Sequence, residues 1–399
     1  MEAISIIIPV FNQVKYTENC LLTLRQDSEL RQKVEVVVVD NGSTDETPQV
    51  LASLREGWAG LHVHQLKENS GFSRACNTGA QLATCPYLLF LNNDTLPQPG
   101  WLSHLWQTLQ LPGAGIVGPK LLYPEDLTIN HCGYVYNRGR RSFYPIYHRY
   151  PGDFPGANRR RVFQALLGAC VMLRRDLFLN VGGFSDFGLE DVDLCLKIGR
   201  KGFRVIYEPE STVLHHGSVT LQNSLPGSIP ETDCLGFNRA WPPETLIADD
   251  ERYYSEDGLR LVEINEKNVI TLHEIVTEAL RLYANAQKLN ETGDTAGAVG
   301  LLERAVSLYR GFEGGYQELI AIHLERNEEE KALRLADEMV SHVASIHKAY
   351  LIAAQIAAGS GRKEKAILYT EYLMKDWKTP EQLRAQAGEL RSAVSVVRH

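Results

Sequence analysis

No apolar run in this 399-residue chain is long enough to cross a bilayer. The longest, such as Val34 to Val39 and Tyr87 to Leu91, have strand length, against the roughly 20 residues a spanning helix needs. The opening MEAISIIIPVFNQ lacks the basic start, long apolar middle and small-residue cleavage site of a secretion signal. A cytoplasmic protein is therefore expected, peripheral at most to the inner face of a membrane. Cysteine is sparse and unpatterned: Cys20, Cys76, Cys85, Cys132, Cys170, Cys195 and Cys234 are odd in number and never spaced as CxxC. That argues against both a zinc knuckle and a disulfide framework. Basic charge is not in excess either. With 41 Lys and Arg against 49 Asp and Glu the formal charge is −8, leaving no global attraction to nucleic acid.

What is present is a globular composition, 44% hydrophobic and 23% charged, over a length that suits two cores. Short β-branched runs alternate with amphipathic stretches: Ile4 to Val10, a helix near Thr17 to Asp27, Val34 to Asp40, then a helix from Asp45 onward. This alternation predicts an α/β fold with a mostly parallel, Rossmann-like sheet and crossover helices. Continuous apolar strands predict that helices cover both faces. Further strands at Tyr87 to Asn92, Leu167 to Leu173 and Val205 to Tyr207 extend the domain over residues 1–222. Residues 223–270, rich in Pro, Gly and acids, read as a connector. From 271 to 399 the chain is helical and repeats itself: Ala298, Ala332 and Ala366 are 34 residues apart, as are Gly293, Asn327 and Gly361. A 34-residue helix-turn-helix period resembles tetratricopeptide repeats. A capping helix near Pro380 to Val397 is amphipathic through Leu383, Ala387, Leu390 and Val394.

In an open parallel sheet, ligands bind at the carboxyl ends of the strands, so the polar residues there are the candidates. VEVVVVD ends at Asp40 before Asn41, Gly42, Ser43, Thr44 and Asp45. A carboxylate at that tip suits either the imide N–H of a pyrimidine base or an Asx turn and helix cap. ENSGFSRACNTG places Asn69, Gly71, Arg74 and Asn77 in a turn entering a helix, where backbone N–H groups, the helix dipole and a guanidinium meet phosphate. YLLFLNND stops in Asn92, Asn93 and Asp94; those hard oxygens suit Mg2+ or Mn2+ on a diphosphate, or simply a turn. GGFSDFGLEDVDLCLK brings Glu190, Asp191 and Asp193 to a helix start. The helix dipole explains acids there in part, while an aspartate behind a glycine-rich aromatic loop also suits deprotonation of an acceptor hydroxyl. STVLHHG adds His215 and His216, which suit completing a metal site begun by Asp94 or a structural role.

Taken in order, SIIIPVFNQ, VVVVDNGSTD, NSGFSRACNTG, FLNNDTLPQPGW, GACVMLRR, GGFSDFGLEDVDLCLKIGRKGFRV and PESTVLHHGS resemble the family 2 glycosyltransferases, inverting enzymes of the GT-A fold, over roughly residues 3–220. The NSGF, LNND and EDVDLCLK wording is similar to their bacterial rhamnosyltransferase branch. The resemblance implies transfer of rhamnose or another hexose or N-acetylhexosamine from a UDP- or dTDP-sugar. It implies donor contacts from Pro9, Phe11, Asp40, Asn69, Gly71, Arg74, Asn77, Asn92 and Asn93. It also implies Mn2+ or Mg2+ on Asp94 and His215, with His216 the alternative, Asp191 as general base and Glu190 orienting base or acceptor. Asn92-Asn93-Asp94 departs from the family pattern, with one carboxylate where many relatives have two or three. Implied too is a single in-line displacement that inverts the sugar; no leaving-group acid for hydrolysis is evident.

The acceptor is open among a glycan, a lipid-linked glycan and a protein. Arg138 to Arg161 gathers seven arginines, interleaved with Phe143, Tyr144, Tyr147, Tyr150 and Phe154. That reads either as an acceptor loop, with rings on sugars and guanidiniums on phosphate, or as a solvated basic surface. The repeats suit a protein partner or self-association. A non-catalytic scaffold that binds nucleotide-sugar or glycan is the other class of reading, and it predicts loss of Asp94 or Asp191, both of which are present.

Overall fold

Val and Ile at successive positions favour extended backbone, and such runs open the computed structural model of the chain, which describes residues 2–30, 34–217, 231–265 and 270–396. The chain forms two units, Met1–Ala248 and Asp249–His399. The first begins with β1 (Ile4–Val10), α1 (Val14–Gln26), β2 (Val34–Asp40), α2 (Thr47–Glu56), β3 (Leu61–Gln65), α3 (Phe72–Leu82) and β4 (Tyr87–Leu91). Every residue of β1 and β4 is buried. β1 pairs in parallel with β2, from Ile4 opposite Val34 to Val10 opposite Asp40, and with β4 on its other side. The segments after Val10, Asp40 and Leu91 therefore leave the sheet at one edge.

Next come β5 (Thr95–Pro97), α4 (Trp101–Leu109), β6 (Ala114–Leu122), β7 (Ile129–His131), the hairpin β8 (Tyr134–Asn137) and β9 (Ser142–Pro145), β10 (Arg161–Phe163), β11 (Cys170–Arg174), α5 (Arg175–Asn180), α6 (Glu190–Arg200) and β12 (Arg204–His215). The sheet order is β10-β12-β6-β11-β4-β1-β2-β3, with β5 on β12 and β7 on β6. Only β10 and β11 oppose the common direction of that path, so the sheet is mostly parallel, as the alternation predicts. The pairing of β5 with β12 sets His215 opposite Thr95, next to Asp94.

On one face Ile4, Ile6, Ile8 and Val10 join Cys20, Leu21 and Leu24 of α1 and Trp101, Leu102 and Leu105 of α4 in a buried cluster. On the other, α3 lies so close that a Cβ on Gly79 would sit 2.4 Å from Ile7 Cγ2. Small residues along α3, among them Ser73, Ala75, Cys76 and Ala80, are buried for the same reason.

The residues read as a connector divide differently. Pro226 and Pro230 lie outside the described residues, but α7 (Glu231–Ala240) and the segment to Ala248 belong to the first unit. α8 (Asp250–Glu256) and the hairpin β13 (Leu259–Ile264) and β14 (Ile270–Glu274) open the second. Pro242 and Pro243 end α7 without ending the unit, because Trp241 is buried between them and the rest of the domain, its indole N–H donating to Asp193 Oδ1 at 2.8 Å.

Seven helices complete the second unit: α9 (Val276–Glu291), α10 (Thr295–Leu308), α11 (Glu313–Glu325), α12 (Glu329–His342), α13 (Ile346–Gly359), α14 (Lys363–Lys375) and α15 (Glu381–Val396). α10, α12 and α14 start 34 residues apart. Ahead of each, Gly293, Asn327 and Gly361 take the left-handed turn with φ of 88°, 56° and 73°, and Ala298, Ala332 and Ala366 are buried on the following helix. The sequence period thus records a repeated turn and a repeated close helix contact.

Candidate active site

The loops after β1 and β2 are built into each other. Asn12 and Gln13 have φ of 56° and 61°, a left-handed turn that short polar side chains such as Asn tolerate. Asn12 Oδ1 accepts the Thr44 N–H at 2.8 Å, and its own N–H donates to Ser43 Oγ at 2.7 Å. Asp45 Oδ2 accepts the Val14 N–H at 3.1 Å where α1 starts. Burial pushes the Asp45 carboxyl up, but hydrogen bonds from Thr47 and Val14 outweigh it and leave its pKa below the usual value. This bracing holds Asp40, which is 1% exposed. Its Oδ1 accepts the Ser43 N–H at 2.9 Å, while Oδ2 is buried with no hydrogen-bond partner. An acceptor left so costs about 1–3 kcal/mol, which a ligand N–H would offset.

Several residues expected at the donor also brace the loops. Asn41 Oδ1 accepts the N–H and hydroxyl of Ser70, each at 2.9 Å, and its Nδ2 donates to Asn69 Oδ1 at 2.9 Å. Asn69 Oδ1 also accepts the Gly71 N–H at 3.0 Å, so Asn69 braces the turn. Gly71, with φ 89°, opens on empty space. Arg74 is exposed and pairs with Asp186 at 3.3 Å. Asn77 grips the backbone of Phe184 from both sides, Nδ2 donating to its carbonyl at 2.8 Å and Oδ1 accepting its N–H at 3.0 Å. Both ends of the amide hold the loop before α6. Asn93 likewise donates to Thr17 Oγ1 at 2.9 Å. Pro9 is buried in β1 and Phe11 half-buried just beyond it. Asn92 keeps a buried Oδ1 without a partner.

At the metal end, Asp94 is 8% and His215 4% exposed. His215 Nε2 lies 3.4 Å from Asp94 Oδ1 and has no hydrogen bond. Its Nδ1 is 3.0 Å from Asn130 Oδ1, to which it donates, and Asn130 in turn bonds the Tyr123 hydroxyl. A neutral ring with its proton on Nδ1 would present the Nε2 lone pair to a carboxylate oxygen, acceptor against acceptor. A cation between them resolves that opposition, and fixing the far nitrogen of a histidine is how second partners set up a metal ligand. The pair therefore fits a divalent ion. Among the described residues no three His, Cys, Asp or Glu side chains gather as a metal site, so further ligands would be substrate oxygens and water, as is usual for Mg2+ on phosphates. His216 is set apart: its ring packs edge-on to Tyr16 and its Nδ1 is 3.5 Å from Glu125. Of the two histidines, His215 is the one that faces Asp94.

At the other end, Leu189 with φ 50° turns the chain into α6. Asp191, half-buried, accepts the Gly168 N–H on Oδ2 at 3.1 Å and the Val192 N–H on Oδ1 at 2.8 Å. Loss of hydration raises its pKa above the ordinary carboxylate value, opposed by those two N–H groups. Glu190 is half-buried at the first residue of the same helix. The third acid, Asp193, is structural: buried, it accepts from Ser185 Oγ at 2.7 Å and Trp241, and pairs with Lys197 at 2.6 Å. Sequence reasoning missed Tyr134 and His131. The Tyr134 hydroxyl is pushed up by burial and then by the charges of Asp191 and Glu190, and the His131 and Tyr134 rings meet edge-on at 4.6 Å. His131 accepts the Leu167 N–H on Nε2 at 3.0 Å, and burial lowers its pKa to about 3.

The arginine-rich insert is not one solvated loop. Arg138, Arg140 and Arg141 are exposed at the β8–β9 turn, but Arg160 binds the fully buried Glu208 at 2.7 Å and Arg161 is 7% exposed. Tyr144 and Tyr147 are core residues. Part of the insert is therefore built into the fold.

The first unit thus carries an acid with a raised pKa, Asp191, and a buried Asp94–His215 pair. Residues 5–182, within the first unit, match the family described as "Glycosyl transferase family 2". The chain is 34% identical over 252 residues to the O-antigen biosynthesis protein RfbC of Myxococcus xanthus, covering 57% of this chain and 19% of that protein. It is 28% identical over 207 residues to the N-acetylglucosaminyl-diphospho-decaprenol L-rhamnosyltransferase of Mycobacterium tuberculosis, 46% of this chain and 66% of that one. The chain thus spans only a part of these relatives. GalNAc-T7, solved with UDP, GalNAc and Mn2+, superimposes with a TM-score of 0.52 at 15% identity over 64% of this chain and 50% of its own, which shows a shared fold. No helix among the described residues is long and apolar enough to cross a membrane.

Proposed function

We propose that the first unit transfers a sugar, rhamnose or another hexose or N-acetylhexosamine, from a UDP- or dTDP-sugar to a glycan, lipid-linked or protein acceptor, with inversion. The observation that carries this is the buried Asp94 Oδ1 and His215 Nε2 pair, 3.4 Å apart, on the same sheet edge as the unpartnered Asp40 Oδ2. Asp94 and His215 would hold Mn2+ or Mg2+, with Asn130 fixing the histidine. Bound there, the ion would neutralise charge growing on the departing diphosphate. Asp40 Oδ2 would accept the imide N–H of the base. Asp191, its pKa raised by burial, would take the proton of the acceptor hydroxyl as its oxygen attacks the anomeric carbon from the face opposite the diphosphate. Glu190 would orient that hydroxyl. A metal-bearing GalNAc-T7 and a rhamnosyltransferase relative support the cation and the class of donor.

The repeat unit is read as a tetratricopeptide-like array holding a protein partner or a second copy, on the strength of its 34-residue turn geometry. A cytoplasmic location agrees with the absence of a spanning helix among the described residues. The test is release of nucleotide from a panel of UDP- and dTDP-sugars with Mn2+ or Mg2+, wild type against Asp191→Asn. One donor turned over by the wild type and not by the variant supports the reading. No binding or turnover of any donor would make the scaffold reading, with the repeats as its working surface, the better one.

A further inference from the structure

We propose that His131 is a positioning residue for the base, acting through the Leu167–Gly168 peptide; the inference rests on Asp191 being the base of the reaction proposed above. Two consecutive amides of one loop are held by two side chains. The Leu167 N–H donates to His131 Nε2 at 3.0 Å, and the next N–H, of Gly168, donates to Asp191 Oδ2 at 3.1 Å. Adjacent peptide planes share a Cα, so fixing the first limits the rotation of the second. The approach is also close: a Cβ on Gly168 would lie 3.1 Å from Asp191 Cβ.

His131 is a poor choice for stability alone. It is 2% exposed, and because Nε2 accepts, its one proton sits on Nδ1, which is buried with no hydrogen-bond partner. A buried unmet donor costs folding free energy. What the imidazole supplies is a rigid acceptor at the correct reach from β7, a strand held to β6 by pairing, and a ring face against Tyr134. The charged and titratable groups around Asp191 are Glu190, Asp193 and Cys195 on its own helix and Tyr134 on β8. Of these, Tyr134 also touches the His131 ring, so amide exchange at Leu167 and Gly168 is the readout that reports the peptide itself.

The test uses the full chain with His131→Leu, His131→Gln and His131→Asn. A glutamine oxygen reaches the place of Nε2, whereas an asparagine oxygen reaches only that of Nδ1. Losing the Gly168 N–H disfavours the carboxylate, so in the Leu and Asn variants the acid limb of kcat for donor turnover should move up by about one pH unit. Amide hydrogen exchange at Leu167 and Gly168, measured without metal, should quicken in the same two variants. Glutamine should restore both, and KM for the donor should stay near wild type in all three. An unmoved limb in Leu and Asn, or a Gln variant that shifts as far as they do, overturns the proposal. If His131→Leu does not fold, Gln against Asn decides. If the wild type turns over no donor, the proposed function fails, and the exchange comparison still decides whether His131 holds the peptide.

Discussion

Two opposing forces act on the Asp191 carboxyl. Burial favours the neutral acid, and the N–H groups of Gly168 and Val192 favour the carboxylate; burial wins, so the pKa is raised. A base must be ionised to accept a proton, so turnover should fall as pH drops through that raised value, earlier than for an ordinary exposed carboxylate. Asp191→Asn should remove the limb and lower kcat by about 10²- to 10⁴-fold, with circular dichroism unchanged. The Asp94–His215 pair makes a separate prediction. If a cation relieves its acceptor opposition, Mn2+ with UDP should raise the melting temperature of the wild type by ligand linkage. Asp94→Asn and His215→Leu should abolish that rise, and Asn130→Ala should weaken the dependence on Mn2+ by about 10- to 100-fold. An equal rise in wild type and Asp94→Asn would place the ion elsewhere.

The helix α6 carries the base, and its placement comes from outside itself. Asn77 of α3 grips Phe184, Ser185 bonds Asp193, and Trp241, beyond α7, donates to the same carboxylate while Arg200 stacks 3.7 Å over its ring. Trp241→Phe removes one donor from a buried carboxylate and should cost about 1–3 kcal/mol, read as a lower melting temperature, with kcat falling more than donor KM rises. These supports explain what was legible in the sequence. Asp40, Asp94 and Asp191 stand out because each is an acid that closes an apolar strand or opens a helix, where the sheet's ligand-binding edge is expected. Asn69, Asn77 and Asn93 share those motifs, yet an amide donates and accepts at once and serves equally well as a loop strut. Tyr134 and His131 carry no local signal: His131 reaches the loop beside the base through a hydrogen bond to Leu167, 36 residues further along the chain.

At the scale of the whole chain, apolar runs and the 34-residue period announced both units, since a strand covered on two faces must be continuously apolar and a stacked helix pair must repeat its small residues. The boundary was less legible, because α7 is a short segment among prolines whose ties to the first unit, through Phe237, Trp241 and the Gln164–Ile247 hydrogen bonds, are tertiary contacts. A fragment of residues 1–248 should therefore keep the donor turnover of the full chain, while 1–222, which lacks Trp241, should lose it. In the second unit the period rests on backbone geometry that one substitution can test. Asn327 stands, with φ 56°, where Gly293 and Gly361 stand in the neighbouring turns. Glycine enters that conformation without strain, and a β-branched residue does so at a cost of about 1–2 kcal/mol. Asn327→Gly should leave the unit's stability to urea nearly unchanged, whereas Asn327→Val should lower it by that amount, although the side chain at this position lies on a turn and not in the core. Equal stability in the two variants would mean that the recurring turn is not what sets the 34-residue step.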